Sequence, residues 1–353
     1  MVKKMKNKDR YIYIDLLEVI AMFMVISLHT NLWHTDFIGI SSCASMLEYS
    51  FRLIMEGVPI FIFANGFLLM SKRYDDGKHK NKIIKLCILF FVWAIINIIS
   101  ISLINNDKIS LSDLLSYIFN TKVDSIYTGH LWYLQNLIML YFIFPIIKYL
   151  YDHNKVLYKS FFYLVTIFTF GINILSLFPP CLYDVSTFIQ SINPLCNGIF
   201  IFYFLLGAYV RDNMVRLENN KIKILVLGLL SFIVAISYGI TISYVYNATF
   251  SDNYIYSQIL LVPIVLMIFM LCTLYHGKNK IVREIIIDIS KNTLGIYLIH
   301  IIINSFLIRF IFKSIDNYSF FIRFFETTLV YFISYIIVII LNKIPVIKKL
   351  VNI

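Results

Sequence analysis

Ile12 to Trp33 reads IYIDLLEVIAMFMVISLHTNLW, a stretch in which Asp15, Glu18 and His29 are the acidic and basic side chains. As a helix rising ~1.5 Å per residue it reaches about 33 Å, enough to cross a hydrocarbon core of about 30 Å. Lys3, Lys4, Lys6, Lys8 and Arg10 precede it, and no small-residue cleavage site follows, so the reading is a retained span and not a leader. Working outward, comparable apolar stretches run over 50–71, 83–104, 132–151, 159–178, 194–210, 222–246, 255–275, 293–313 and 321–342. With the N-terminus placed inside, six of the 31 Lys and Arg fall on the outer side: Arg52, Lys108, Lys122, Arg309, Lys313 and Arg323. That asymmetry follows the positive-inside pattern and puts both termini in the cytoplasm.

The expected fold is an all-α polytopic membrane bundle of about ten transmembrane helices, one integral-membrane domain over residues 1–353. Composition agrees, with 59% hydrophobic and 14% charged residues, against about 25% charged in soluble domains. The net charge of +11, which in a soluble protein would suggest nucleic acid, is accounted for by topology, and no nucleic-acid partner is expected. The partner is the lipid bilayer, and the location a cell membrane crossed many times, a bacterial plasma membrane. Five cysteines are scattered without metal-type spacing. Cys43 and Cys181 share the outer side and could pair, although small apolar filler is the commoner role. The longest gap, 105–131, leaves no room for a soluble catalytic domain, and Leu111 to Ile118 has the spacing of a helix lying along the membrane surface. Chemistry must therefore use residues within the helices or at their ends.

A charge near the bilayer centre costs about 2.5–3.5 kcal/mol on insertion scales, so each buried ionisable group is informative. Asp15 and Glu18 share a helix face near the inner end of the first span, where reaching back to headgroups is the ordinary reading. His29 lies about 25 Å along the same helix, in the outer leaflet. An interfacial imidazole bonded to Trp33 is its bland role. Arg52 and Glu56 form an i,i+4 pair at the outer end of the second span, and His130 opens the fourth span at the same level. Glu56 facing His29 would favour the imidazolium. His300, counted from Thr293, sits about 10 Å from the inner side. This places it some 10–15 Å from His29, giving two separate polar levels and no contact. Lys72, Arg73, Lys78, Lys80 and Lys82, with Lys85 beyond, form the densest basic cluster. It anchors to anionic lipid or docks a phosphorylated donor.

Four segments resemble the membrane acyltransferase-3 family, which includes O-acetyltransferases of bacterial surface polysaccharides. They are Ile14-Asp15-Leu16-Leu17-Glu18-Val19-Ile20-Ala21 leading to Val25-Ile26-Ser27-Leu28-His29, then Gly57 to Leu69 with Asn65-Gly66-Phe67. The third is Gly129-His130-Leu131-Trp132-Tyr133-Leu134 with Tyr141 and Pro145, and the fourth Gly295-Ile296-Tyr297-Leu298-Ile299-His300. Phe204-Leu205-Leu206-Gly207 fits too, so the likeness runs from the first span to the ninth. Two positions depart from the family pattern. Glu18 stands where a basic residue is usual, with Arg10 at the membrane entrance as a compensating cation, and Asn65 stands where Ser is usual.

The resemblance implies transfer of an acyl group, usually acetyl, from cytoplasmic acyl-CoA to a hydroxyl of an extracytoplasmic or lipid-linked glycan, working beside polysaccharide-assembly machinery. It implies His29 as base or nucleophile with Glu56 beside it, and His130, Trp132, Asn65, Tyr297 and His300 on the substrate paths. Arg10, Lys72, Arg73, Lys78, Lys80 and Lys82 would receive the donor's phosphates. No metal and no permanently bound cofactor is expected, the thioester supplying the driving force. Two other classes stay open: a transporter or flippase of a lipid-linked sugar, which would move its substrate unchanged, and a non-catalytic partner subunit.

Overall fold

The computed structural model describes residues 10–30, 32, 52, 55–119, 126–171, 198–245, 259–312 and 320–351, and every regular element among them is helical. In chain order these are α1 (Ile12–His29), α2 (Gly57–Leu69), α3 (Asp76–Asn105) and the short α4 (Leu111–Phe119). A 3₁₀ turn over Gly129–Leu131 leads into α5 (Trp132–His153). Then come α6 (Lys155–Thr166), continued by a π-helical turn over Ile167–Gly171, α7 (Gly198–Asp212), α8 (Met214–Asn219) and α9 (Lys221–Val245). The chain closes with α10 (Leu261–Cys272), α11 (Lys280–Phe310), α12 (Phe320–Leu341) and α13 (Pro345–Val351). Each of the ten expected spans holds one of these helices.

Five are long and apolar enough to cross a membrane: α1, α3, α5 with its leading turn, α11 and α12, while α2 and α10 are apolar but shorter. The chain is a multi-pass membrane protein. Ten crossings with cytoplasmic ends is the reading of the sequence. α3 carries an exposed apolar stripe, in which Ile84, Ile88, Phe91, Ile95, Ile99 and Leu103 recur at helical spacing on one outward face. The pairing of Cys43 with Cys181 and the Trp33 contact lie outside the described residues, and Cys87 and Cys272 are free thiols.

Two helices begin earlier than the apolar pattern suggests, and caps explain both. Asp75 accepts from the Lys78 backbone N–H at 3.0 Å, which starts α3 at Asp76 and makes the second half of the basic loop helical. The Asn279 side chain accepts from the N–H groups of Ile281 and Val282 at 3.0 and 3.2 Å, and α11 starts at Lys280. Such side-chain caps satisfy donors that a helix start otherwise leaves orphaned. The Lys78 hydrogen bond also holds the Asp75 carboxyl below the usual carboxylate range.

α1 is the hub, packing on α2, α10, α11 and α12. The tightest crossing is between α2 and α7, where Gly66 lies on the Phe204 carbonyl and Gly207 on the Phe63 carbonyl. A Cβ at either position would collide with backbone, which cannot move aside. Small residues at such crossings let helices meet backbone to backbone where lipid supplies no hydrophobic drive. Interhelical hydrogen bonds add to this. Thr30 and Thr327 share a hydroxyl bond of 2.6 Å, and Asn97 donates to the Leu298 carbonyl at 3.3 Å.

Candidate active site

The carboxylates of α1 set the register of the bundle. Arg10 grips Asp15 with two parallel bonds, Nε to Oδ2 at 2.8 Å and Nη2 to Oδ1 at 2.6 Å. Ser290 of α11 lies between the acids, its Oγ 2.9 Å from Asp15 Oδ1 and 2.7 Å from Glu18 Oε2. A hydroxyl carries one proton. Asp15 is already satisfied by a fork-to-fork guanidinium contact, so the Ser290 proton is available to Glu18.

α1 and α11 leave this junction side by side. His29 is eleven residues beyond Glu18 and His300 ten beyond Ser290, rises of roughly 16 and 15 Å. The two rings meet, with centroids 5.1 Å apart. This corrects the expectation of separate levels for His29 and His300. Depth was counted from Thr293, whereas α11 starts at Lys280, so His300 rides about 30 Å up its helix, against about 25 Å for His29 up α1.

His130 completes the cluster at 5.5 Å from the His300 ring. Tyr297 ties the group together. Its hydroxyl donates to the His130 carbonyl, and its own carbonyl accepts from His300 Nδ1 at 2.6 Å. A carbonyl can only accept, so Nδ1 carries the proton and the Nε2 lone pair of His300 is free to take another. Nε2 of His300 and of His130 are both buried with no hydrogen-bond partner among the described residues. Asn304 fixes the end of α1, donating to the His29 carbonyl at 2.9 Å. No three His, Cys, Asp or Glu side chains among the described residues are arranged to hold a metal ion.

A cavity of about 270 Å³ extends between Glu18 of α1 and Tyr297 of α11. Glu18, Ser290, Lys291 and Thr293 line one part of it, Lys82 and Tyr141 another, with Asn65, Phe61 and Tyr133 further along. Tyr297 stands between this cavity and the histidines, its ring 5.9 Å from His130 and 5.8 Å from His300.

The other candidates fall into place around this axis. Asn65 lines the cavity while donating to the Phe61 carbonyl at 2.9 Å. Trp132 packs on Phe200 at 5.7 Å. Glu56 is fully buried, but it is the residue before the first turn of α2, because the helix expected over 50–71 starts only at Gly57. Its carboxylate lies within electrostatic range of Tyr203 on α7.

The basic residues divide. Arg10 is engaged by Asp15, and Lys78 and Lys80 pair with Asp75 and Asp76 at the surface. Lys72 lies near Lys82 and Arg211, and burial, with those two cations, pushes its ammonium below the usual lysine range. Arg211, Ser290 and Asn304 were not singled out from the sequence. A signal existed for Ser290, which precedes His300 by nearly the interval separating Glu18 from His29.

Fold and site together define an all-helical, membrane-embedded protein with a histidine cluster at the head of a polar cavity. An acyltransferase-domain model of the acyltransferase-3 family matches residues 11–343, and the chain belongs to that family. It is also similar to a protein named amino-acid racemase from Enterococcus faecalis, 25% identical over 289 residues. That match covers 78% of this chain but 38% of the racemase, so the chain spans well under half the length of that relative. No solved structure matches.

Proposed function

We propose that the protein transfers an acyl group, acetyl in the simplest case, from cytoplasmic acyl-CoA to a hydroxyl of an extracytoplasmic or lipid-linked glycan. The observation that carries this reading is the meeting of His29, His130 and His300 beyond Tyr297, which closes a cavity lined by Lys82 and Lys291. Acyl-CoA has matching parts: anionic phosphates, a long neutral arm and a reactive thioester at its tip.

The phosphates dock at Lys72, Arg73 and Arg211, with Lys82 at the rim. The arm threads the cavity past Asn65 and Tyr133 to Tyr297. An imidazole nitrogen, His29 with His300 behind it, removes the acceptor hydroxyl proton as its oxygen attacks the thioester carbonyl. The C–S bond breaks, and the departing thiolate takes that proton back. General-base help of this kind is worth ~10²–10⁴ in rate. His130 and Glu56 border the acceptor.

The test is release of free CoA thiol by the purified protein given acetyl-CoA and a polyhydroxylated acceptor. Acceptor-dependent release that disappears in His29→Ala supports the reading. Binding without turnover, with sugar movement across vesicles, would favour a flippase.

A further inference from the structure

Glu18, Lys82 and Lys291 line the cavity, and Glu18 and Lys82 have no ionic partner among the described residues. Glu18 lines it, held by the Ser290 hydroxyl at 2.7 Å, and makes no ion pair among the described residues, because Arg10 is engaged by Asp15. Lys82 lines it too, its ammonium 4.8 Å from the centre of the Tyr141 ring and in no ion pair among the described residues. Both side chains are half-buried or deeper, and the two do not bridge each other. Charges drawn out of water are ordinarily paired, since an uncompensated one is strongly disfavoured. A carboxylate and an ammonium bordering one cavity, each unmatched, call for a ligand carrying the complement of both.

We propose that this cavity binds a small ammonium–carboxylate zwitterion, with its ammonium at Glu18 and its carboxylate at Lys82. At about 270 Å³ the space lies at the small end of ligand pockets, which run from about 300 Å³ upward. Asn65 and Ser290 offer polar contacts, and Tyr133 and Tyr297 line the same space. Free α-amino acids and betaines share this chemistry. The zwitterion takes the space that the proposed function gives to the acyl-CoA arm, so the two ligands compete; binding is read without any acyl transfer, so this inference and the proposed function fail separately.

The experiment is equilibrium binding to the full chain in lipid nanodiscs, using labelled glycine, alanine, serine and glycine betaine, with methylamine and acetate as single-charge controls. Saturable binding of a zwitterion and not of the controls is expected. Glu18→Gln and Lys82→Gln should each weaken it by roughly tenfold to a hundredfold, the loss of one charge-assisted hydrogen bond. Amino acids or betaine alone showing this pattern would name the source within the class. Two results would overturn the proposal: no saturable binding of any zwitterion to folded wild type, or binding indifferent to both variants. Because the two variants lie on different helices, misfolding of one leaves the other to decide.

Discussion

The Ser290 hydroxyl of α11 lies 2.7 Å from Glu18 Oε2 of α1, and this contact sets which residues meet higher in the membrane. From it, two helices climbing side by side bring His300 against His29. Ser290→Ala removes the donor and leaves Glu18 without its described hydrogen bond, a loss of about 1–3 kcal/mol for a buried polar group. The expected outcome is a lower melting temperature in detergent. An unchanged melting temperature would show that the contact contributes nothing to the register.

Tyr297 links the cavity to the cluster through one hydroxyl, donated to the His130 carbonyl. Tyr297→Phe keeps the ring and deletes that bond. Transfer should slow by roughly twofold to tenfold, the worth of a neutral hydrogen bond, with KM for acyl-CoA little changed. Steady-state kinetics read this directly, and a rise in KM alone would place Tyr297 in donor binding.

Gly66 and Gly207 have no room for a side chain at the α2–α7 crossing. Gly66→Ala should therefore abolish a monodisperse peak in size-exclusion chromatography. Gly77→Ala is the matched control, since a Cβ there meets nothing nearer than Asp75 Oδ1 at 3.6 Å. A well-behaved Gly66→Ala protein would contradict the close crossing.

The positive-inside reading places Lys278 and Asp107 on opposite sides of the membrane. Lys278→Cys should react with an impermeant maleimide only when the cytoplasmic face is open, and Asp107→Cys from outside intact cells. The assay is run with the five native cysteines replaced by serine, because the same reading puts Cys43 and Cys181 on the outer side. Labelling of both from the same side would overturn the topology.

The helices were legible because apolar length and turn chemistry are local properties. His29, His130, Tyr297 and His300 could be picked out from resemblance and from the cost of burying them. Their meeting could not, because depth depends on where a helix starts, and α11 starts at an Asn279 cap well before its apolar stretch. The break before Gly57, which takes Glu56 out of a continuous helix, had a sequence signal in Gly57 and Pro59, which suit a helix start, but the surrounding apolar run outweighed it. Ser290 and Asn304 are ordinary polar residues in the sequence, and only packing gives them partners on α1.

The most direct measurement is transfer of radiolabel across sealed membrane vesicles, with acetyl-CoA supplied at the cytoplasmic face and a glycan acceptor at the other. Wild type should label the acceptor, and His29→Ala and His300→Ala should each lose ~10²–10⁴ in rate while still binding donor. Transfer at the wild-type rate by both variants would contradict a histidine-centred acyltransferase.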